Sequence, residues 1–411
     1  MAKMGRNEIC HCLSGKKYKY CCEDKDQKKK AKEYRLSVFN SFSVMKDPRD
    51  NRGKEYQLMD LQIMVIYGIL NGYDDFDNIA YFLKQNEPYF KKLLMIEKTP
   101  SHDCLSDLFA VLDPKEFMNI FIEWISGVVE KRTGAIIAID GKAVKSARDK
   151  INGGNTPYIL SAYLSEIGIS IGQVEVDKKS NEIKSIPDLI NILDIKGCYI
   201  TIDAVGTQEE IIRKIVGKGG HFVLKVKGNQ KTLKEDLQKY FDTHIGNDAN
   251  IIVKTTDLEK NHGRGEYREY YLSYDTNCIT NKKKWDKVSS IGMVRVYRSV
   301  NDVKEINDHY YIMDTKISAE MFIKTTRSHW NIECGLHWRL DVILNEDRSR
   351  NRVGHSISNL AIIRKIVFNL VRLDTSFGKT TFEKKMTNYK TDYSNIENLI
   401  YNVIPTVSLN S

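Results

Sequence analysis

The stretch Cys198–Gln230, "CYITIDAVGTQEEIIRKIVGKGGHFVLKVKGNQ", decides how the chain is read. It opens on a short apolar run ending in Asp203, turns through small residues into a helix around "QEEIIRKIV", and returns as a second strand, "HFVLKVKG". Strands joined by helices belong to a sheet with helices on its faces. A bare carboxylate at the carboxyl end of a buried strand is costly unless something uses its charge. Asp203 is therefore where chemistry is sought first.

Working outward, "AIIAID", "YILSAYLS" and "ISIGQVEV" are three earlier β-branched runs, and a helix around "IPDLINIL" separates the third from the fourth. The expected class is α/β, a mixed sheet flanked by helices. Residues 231–320 interrupt that order with a helix and further strands, "YREYYLSY", "GMVRVY" and "HYYIMD", and read as a β-rich insertion. Helices are expected from about Ala319 to Leu344 and from about Ser356 to Leu373, followed by a C-terminal tail, 374–411. Upstream, residues 36–130 show apolar residues at three- and four-residue spacing, with Pro114 opening a helix, and read as a small all-α domain. Residues 25–35, "KDQKKKAKEYR", form a basic linker, and residues 1–24 hold a cysteine cluster.

The 411 residues carry a formal net charge of +9, a bias toward a polyanionic partner. "MAKMGRNEICHCLSGKK" has no apolar core. The longest apolar run, "LQIMVIYGIL", is far short of the roughly 18–20 residues that cross a bilayer. The expectation is a cytoplasmic protein with no membrane partner, in which cysteines stay reduced. Four of the eight cysteines fall in the first 22 residues, which points to a metal.

"AIIAIDGKAV" puts Asp140 at the end of the first strand and "CYITIDAVG" puts Asp203 at the end of the fourth. Two carboxylates held at one sheet edge repel, and a divalent cation cures the repulsion. Aspartate oxygens suit Mg²⁺, and a pair of such ions roughly 3.5–4 Å apart clamps both oxygens exchanged at a phosphodiester. A third ligand is offered by "RSHWNIECGLHWRLDVILNEDRSRNR". There Ile332, Leu336, Leu340 and Ile343 form a core-facing stripe, with Glu333 at its rim beside Trp330, His337 and Asp341. Asp341, Glu346 and Asp347 are rival third carboxylates.

Several long stretches resemble one family: "AIDGKAVKSAR", "KSNEIKSIPDLINILDIKGCYITIDAVGTQ", "LKVKGNQ", "NHGRGEYRE" and "RSHWNIECGLHWRLDVILNEDRSR". They resemble the DDE transposases of bacterial insertion sequences, of the H-repeat-associated type. The resemblance implies an RNase H-like catalytic domain over 134–373 whose acidic triad, Asp140, Asp203 and Glu333, binds two Mg²⁺ or Mn²⁺ ions. Val205, Thr207 and Cys334 depart from the usual motifs, and none of them is a metal ligand. The implied reaction is cleavage at the element's terminal repeats and transfer of the freed strand to target DNA, by a homodimer in the active complex. A transposase-derived DNA-binding regulator and a metal-dependent endonuclease are the competing readings.

Lys142, Lys145, Lys225, Lys227, His262, Arg264, Arg327, His329, Arg348, Arg350 and Arg352 lie around the proposed site as candidate phosphate contacts, and Trp330 and His337 as stacking partners for a base. "CHCLSGKKYKYCC" resembles the SEC-C zinc motif, with Cys10, Cys12, Cys21 and Cys22 as ligands of a structural Zn²⁺. A segment so short has no core, so the metal would supply its folding energy.

Overall fold

The computed structural model describes residues 8–10, 12, 14, 16–22, 41–52, 54–129, 133–144, 157–176, 182–246, 251–255, 259–261, 264–300 and 303–401. The basic linker, Lys145 and His262 lie outside these residues, and only the backbone of Arg264 lies within them. The chain forms two compact units. The helical one comprises Met1–Val128, Val144–Gly154 and Arg339–Val407, and the sheet one Val129–Ala143, Asn155–Trp338 and Ser408–Ser411.

In the helical unit, α1 (Leu58–Leu70) is buried at every position, because "LMDLQIMVIYGIL" is apolar on all sides and needs a complete shell of neighbours. α2 (Phe76–Gln85) packs against it and the Phe90 ring of α3 (Glu87–Leu94) meets Tyr67 edge-on, while α4 (His102–Val111) and α5 (Pro114–Val128) follow in the same unit. Polar caps set two of the starts: Asp75 accepts the Asn78 N–H at 2.9 Å, and Ser101 accepts the Cys104 N–H at 3.2 Å.

The sheet unit is built on a ten-stranded sheet among the described residues, in the order β3-β2-β1-β4-β5-β10-β9-β8-β6, with β7 paired to β8. Its strands are β1 (Ile136–Ala143), β2 (Tyr158–Leu164), β3 (Ile169–Val176), β4 (Tyr199–Ile202), β5 (His221–Val226), β6 (Ile252–Thr255), β7 (Glu259–Asn261), β8 (Arg264–Ser273), β9 (Ser290–Val300) and β10 (Val303–Met313). β1, β4 and β5 run parallel, while β2, β3 and β10 pair antiparallel with their neighbours. The sheet is thus mixed, as expected. The insertion strands do not form a separate body: β10 pairs directly with β5 and extends the same sheet.

Helices α6 (Glu182–Ile192), α7 (Glu209–Gly217) and α8 (Lys231–His244) connect the strands. After β10 come α9 (Ala319–Ser328), α10 (Trp330–Ile332), a π-helical turn (Glu333–His337) and α11 (Trp338–Val342). The single long helix expected here is therefore broken at His329 and locally widened. The widening also shifts the buried stripe: Ile332, Leu336, Leu340 and Leu344 are buried, and Ile343 is only half-buried.

The chain returns to the helical unit as α12 (Ser356–Leu373), which packs on α1, α4 and α5. Its buried polar residues tie loops down. Asn359 donates to the Phe109 and Leu112 carbonyls at 2.8 and 2.9 Å, and Arg364 donates to the Leu344 and Asp74 carbonyls. The stretch read as a tail instead carries α13 (Phe382–Thr391) and α14 (Tyr393–Tyr401). Lys385 caps the end of α12 through the Val371 carbonyl at 3.2 Å, and Tyr89 donates to Glu397 at 3.0 Å. Their apolar positions follow a helical spacing, with Phe382, Met386 and Tyr389 buried.

In the sheet unit, α9 is anchored by Phe322, fully buried against Tyr270 and Tyr311, whose ring centroids lie 6.1 and 5.5 Å away. Gly292 makes room for that ring, since a Cβ there would sit 2.5 Å from Phe322 Cζ. Phe322→Ala should therefore cost about 3–5 kcal/mol of stability, read as a fall in the urea midpoint at unchanged slope.

Candidate active site

The parallel register of β1 and β4 pairs Ile139 with Ile202. The next residue on each strand is an aspartate, Asp140 and Asp203, so the two stand side by side at neighbouring strands roughly 4.8 Å apart. Asp203 follows the end of β4 as expected. Asp140 does not end its strand, for β1 runs on to Ala143 and stays paired with β2, Asp140 opposite Ser161. The glycine after Asp140 is required by that pairing. A Cβ on Gly141 would lie 2.1 Å from the Tyr158 ring, whose hydroxyl donates to the Gly141 carbonyl at 2.8 Å.

Glu333 enters from the π turn, which sits where the chain must pass close to β2. A Cβ on Gly335 would stand 2.5 Å from the Tyr163 hydroxyl. A π turn is unusual and concentrates at functional positions. It places Glu333 and His337 at its two ends. His337 is 8% exposed, and its Nδ1 lies 3.5 Å from an Asp140 carboxylate oxygen. The His337 ring thus faces the Asp140 carboxylate from a largely buried position. Trp330, 59% exposed, keeps its ring surface open.

The electrostatics of the site are uneven. Burial first, then the charges of Glu333, Glu182 and Asp203, push the Asp140 carboxyl up to about 7 against the lowering effect of the Gly141 N–H. Asp203 is also partly buried. Its hydrogen bond from the Ala204 N–H and its contact with Lys227 outweigh that burial and hold it below the usual aspartate value. The Lys227 ammonium lies 3.0 Å from Asp203 Oδ1. His329, at the break between α9 and α10, was expected among the basic groups, but burial pushes it down to about 4, so it is neutral at physiological pH. Its Nδ1 is buried without a hydrogen-bond partner among the described residues.

The structure thus brings Asp140, Asp203 and Glu333 into one electrostatic neighbourhood, with Lys227, His329 and His337 around it. It adds a residue that the sequence reading missed. Glu182, 7% exposed, opens α6 and stands within 3.4 Å of the Tyr158 hydroxyl. The signal was weak, since α6 begins four residues ahead of the apolar run that announces the helix. Lys142 is half-buried on β1, Arg327 is half-buried on α9, and Arg264 begins β8. Arg348 and Arg350, both exposed, belong with Asp341, Glu346 and Asp347 to the helical unit.

The donor set fits a divalent cation. The carboxylates are hard oxygen ligands, and Asp140 is pushed up first by burial and then by the neighbouring acids, both of which a bound cation would offset. They are not drawn tightly together, however. Among the described residues the one group of ligand atoms lying within 4.8 Å of one another is that of Cys10, Cys12, Cys21 and Cys22.

The cysteine group is held by a small scaffold. The Cys10 N–H donates to the Lys16 carbonyl and the Tyr18 N–H to the Glu8 carbonyl, each at 2.8 Å, and Ile9 bridges Lys17. Cys12 Sγ lies 3.4 Å from Cys10 and 3.3 Å from Cys21. Hydrogen bonding led by the Ser14 hydroxyl lowers Cys12 to about 6, while crowding by Cys10 and the other thiols pushes Cys22 up to about 12. Four thiols so placed do not ionise together without a cation among them.

Comparisons with known proteins agree with this layout. The family model described as "Transposase DDE domain" matches residues 131–370, the "DDE_Tnp_1-associated" model residues 39–125, and the "SEC-C motif" model residues 6–24. "H repeat-associated putative transposase YhhI" of Escherichia coli K12 is 31% identical over 355 residues, 85% of this chain and 93% of that one. "Putative transposase YncI" of Escherichia coli O157:H7 is 33% identical over 341 residues, 82% of this chain and 87% of the relative. A solved piggyBac transposase synaptic complex with hairpin DNA aligns at TM-score 0.42 and 12% identity, over 97% of this chain and 86% of that one. The family match spans more than half of the chain and the relatives align along nearly their whole length, so the chain belongs to the DDE transposase family.

Proposed function

We propose that this transposase is catalytically competent: it cuts DNA at the ends of an insertion sequence and joins the freed strand to target DNA. The observation that carries the reading is the parallel register of β1 and β4, which stands Asp140 beside Asp203, with Glu333 near enough for its charge to act on the Asp140 carboxyl. The half of the sheet formed by β1–β5, with a parallel core and an antiparallel β2–β3 hairpin, supports an RNase H-like assignment for this region.

Asp140, Asp203 and Glu333 would hold two Mg²⁺ or Mn²⁺ ions. When bound, such ions polarise the scissile phosphate and make water or a 3′-hydroxyl a better nucleophile. The remaining roles fall to the chain itself. His337 orients the Asp140 carboxylate. Lys142, Lys227, Arg264, Arg327, Arg348 and Arg350 neutralise phosphates, and His262 is proposed with them on its motif alone. Trp330 offers an exposed ring to an unpaired base near the cut end. The cysteine knuckle would bind one structural Zn²⁺. A homodimer in the active complex and a place at the nucleoid complete the proposal, because transposition joins two ends of one DNA element.

The primary test is incubation of purified protein with a plasmid carrying the DNA that flanks its gene, plus Mg²⁺ or Mn²⁺. Cuts at the element's ends and strand-transfer products are expected. Asp140→Asn, Asp203→Asn and Glu333→Gln should each lower the rate at least ~100-fold, a few kcal/mol of transition-state stabilisation, while end binding persists. Binding without cleavage would favour the regulator, and cleavage without joining the endonuclease.

The proton on Asp140 gives a second test. With its carboxyl raised to about 7, metal binding below that pH must displace a proton. Mn²⁺ affinity measured by calorimetry should rise roughly tenfold per pH unit up to about 7 and level off above it. A flat profile between pH 6 and 8 would remove Asp140 from the ligand set. For the knuckle, a chromogenic chelator should release about one Zn²⁺ per chain from the unfolded wild type, and none from Cys21→Ser purified alike.

A further inference from the structure

Lys227 is placed with more care than a surface phosphate contact needs. It follows β5 and opens the turn Gly228–Gln230. That turn is fastened to the turn after β4 on several points. Asn229 donates to the Ala204 carbonyl at 2.8 Å, Gln230 donates to the Thr207 carbonyl at 2.9 Å, and the Thr207 hydroxyl donates to the Lys225 carbonyl at 2.7 Å. Lys284 in turn donates to Gln230 Oε1 at 2.9 Å. The backbone of Lys227 is therefore fixed relative to Asp203. Only the four-carbon stem is left to move, and the two charged ends are about half exposed, 52% for Lys227 and 48% for Asp203.

We infer that Lys227 is an exchangeable counter-ion: its ammonium neutralises Asp203 while the site holds no metal, gives way to an arriving divalent cation, and then takes a phosphate oxygen of the bound DNA. The inference rests on the DDE reading of Asp203. An ammonium 3.0 Å from a carboxylate oxygen occupies space that a cation liganded by that oxygen needs, and two like charges so close repel. A half-exposed ion pair is weak and easily opened, so the exchange meets little resistance. The freed ammonium stays tethered beside the site, where Lys serves as a mobile point charge for phosphate.

The test is calorimetric titration of Mn²⁺ into DNA-free protein at pH 8, for wild type, Lys227→Met, Lys227→Gln and Asp203→Asn. Removing the competing ammonium should tighten Mn²⁺ binding about three- to tenfold in both Lys227 variants. The same variants should bind end DNA more weakly, with the slope of log affinity against log salt reduced by ~0.9, and Lys227→Arg should restore that slope. Equal or weaker Mn²⁺ binding in both variants overturns the exchange. Tighter Mn²⁺ binding with an unchanged salt slope overturns the phosphate half of it. A wild-type titration indistinguishable from that of Asp203→Asn instead removes Asp203 as a metal ligand, and the underlying reading falls with it.

Discussion

The sheet unit holds one unfavourable feature, a buried aspartate with further acids nearby, at the edge of β1 and β4. An aspartate raised to about 7 stands some three units above its ordinary value, which corresponds to about 4 kcal/mol set against folding at neutral pH. Such a cost persists only where the surrounding structure over-determines the geometry. Ile136 to Ile139 and Ile200 to Ile202 are buried on both faces of the sheet, and their parallel pairing sets Ile139 opposite Ile202, immediately before the two aspartates. The strands thus hold the two aspartates adjacent whether or not their charges are compensated.

The third acid is delivered by a different device. A regular helix would carry Glu333 and His337 just over one turn apart on one face, but the π turn between them widens the path and lets Gly335 close on Tyr163. Phe322 fixes the preceding helix to the sheet. His329 marks the break and is kept neutral by burial. The acidic centre is consequently bordered by one neutral imidazole, one imidazole facing Asp140 and the Lys227 ammonium beside Asp203.

The helical unit shows the complementary principle. α1 is apolar on every face, and it is stable only because α12, separated from it by the whole sheet unit in sequence, completes its shell. Buried polar side chains on α12 serve backbone groups that would otherwise lack partners: Asn359 at the end of α4, Arg364 at the loops before α2 and after α11. At the other end of the chain the cysteine quartet gathers four thiols with little apolar burial, a cluster suited to stabilisation by metal in place of a core.

Periodicity and composition by themselves determined the local elements. The strand runs around Asp140 and Asp203, the helices between Leu58 and Val128, the helix from Ser356 and the cysteine quartet all follow from side-chain pattern, because those patterns depend on neighbours within a few residues. The motifs were enough to name the family. What the tertiary structure alone decided depends on distant partners. The join of the insertion to β5, the helices in place of a tail and the π turn at Glu333 arise from packing across the chain. So do the neutral state of His329, the burial of His337 against Asp140 and the presence of Glu182. Protonation and helix phase respond to the full three-dimensional field around a residue, and no local stretch of sequence contains that field.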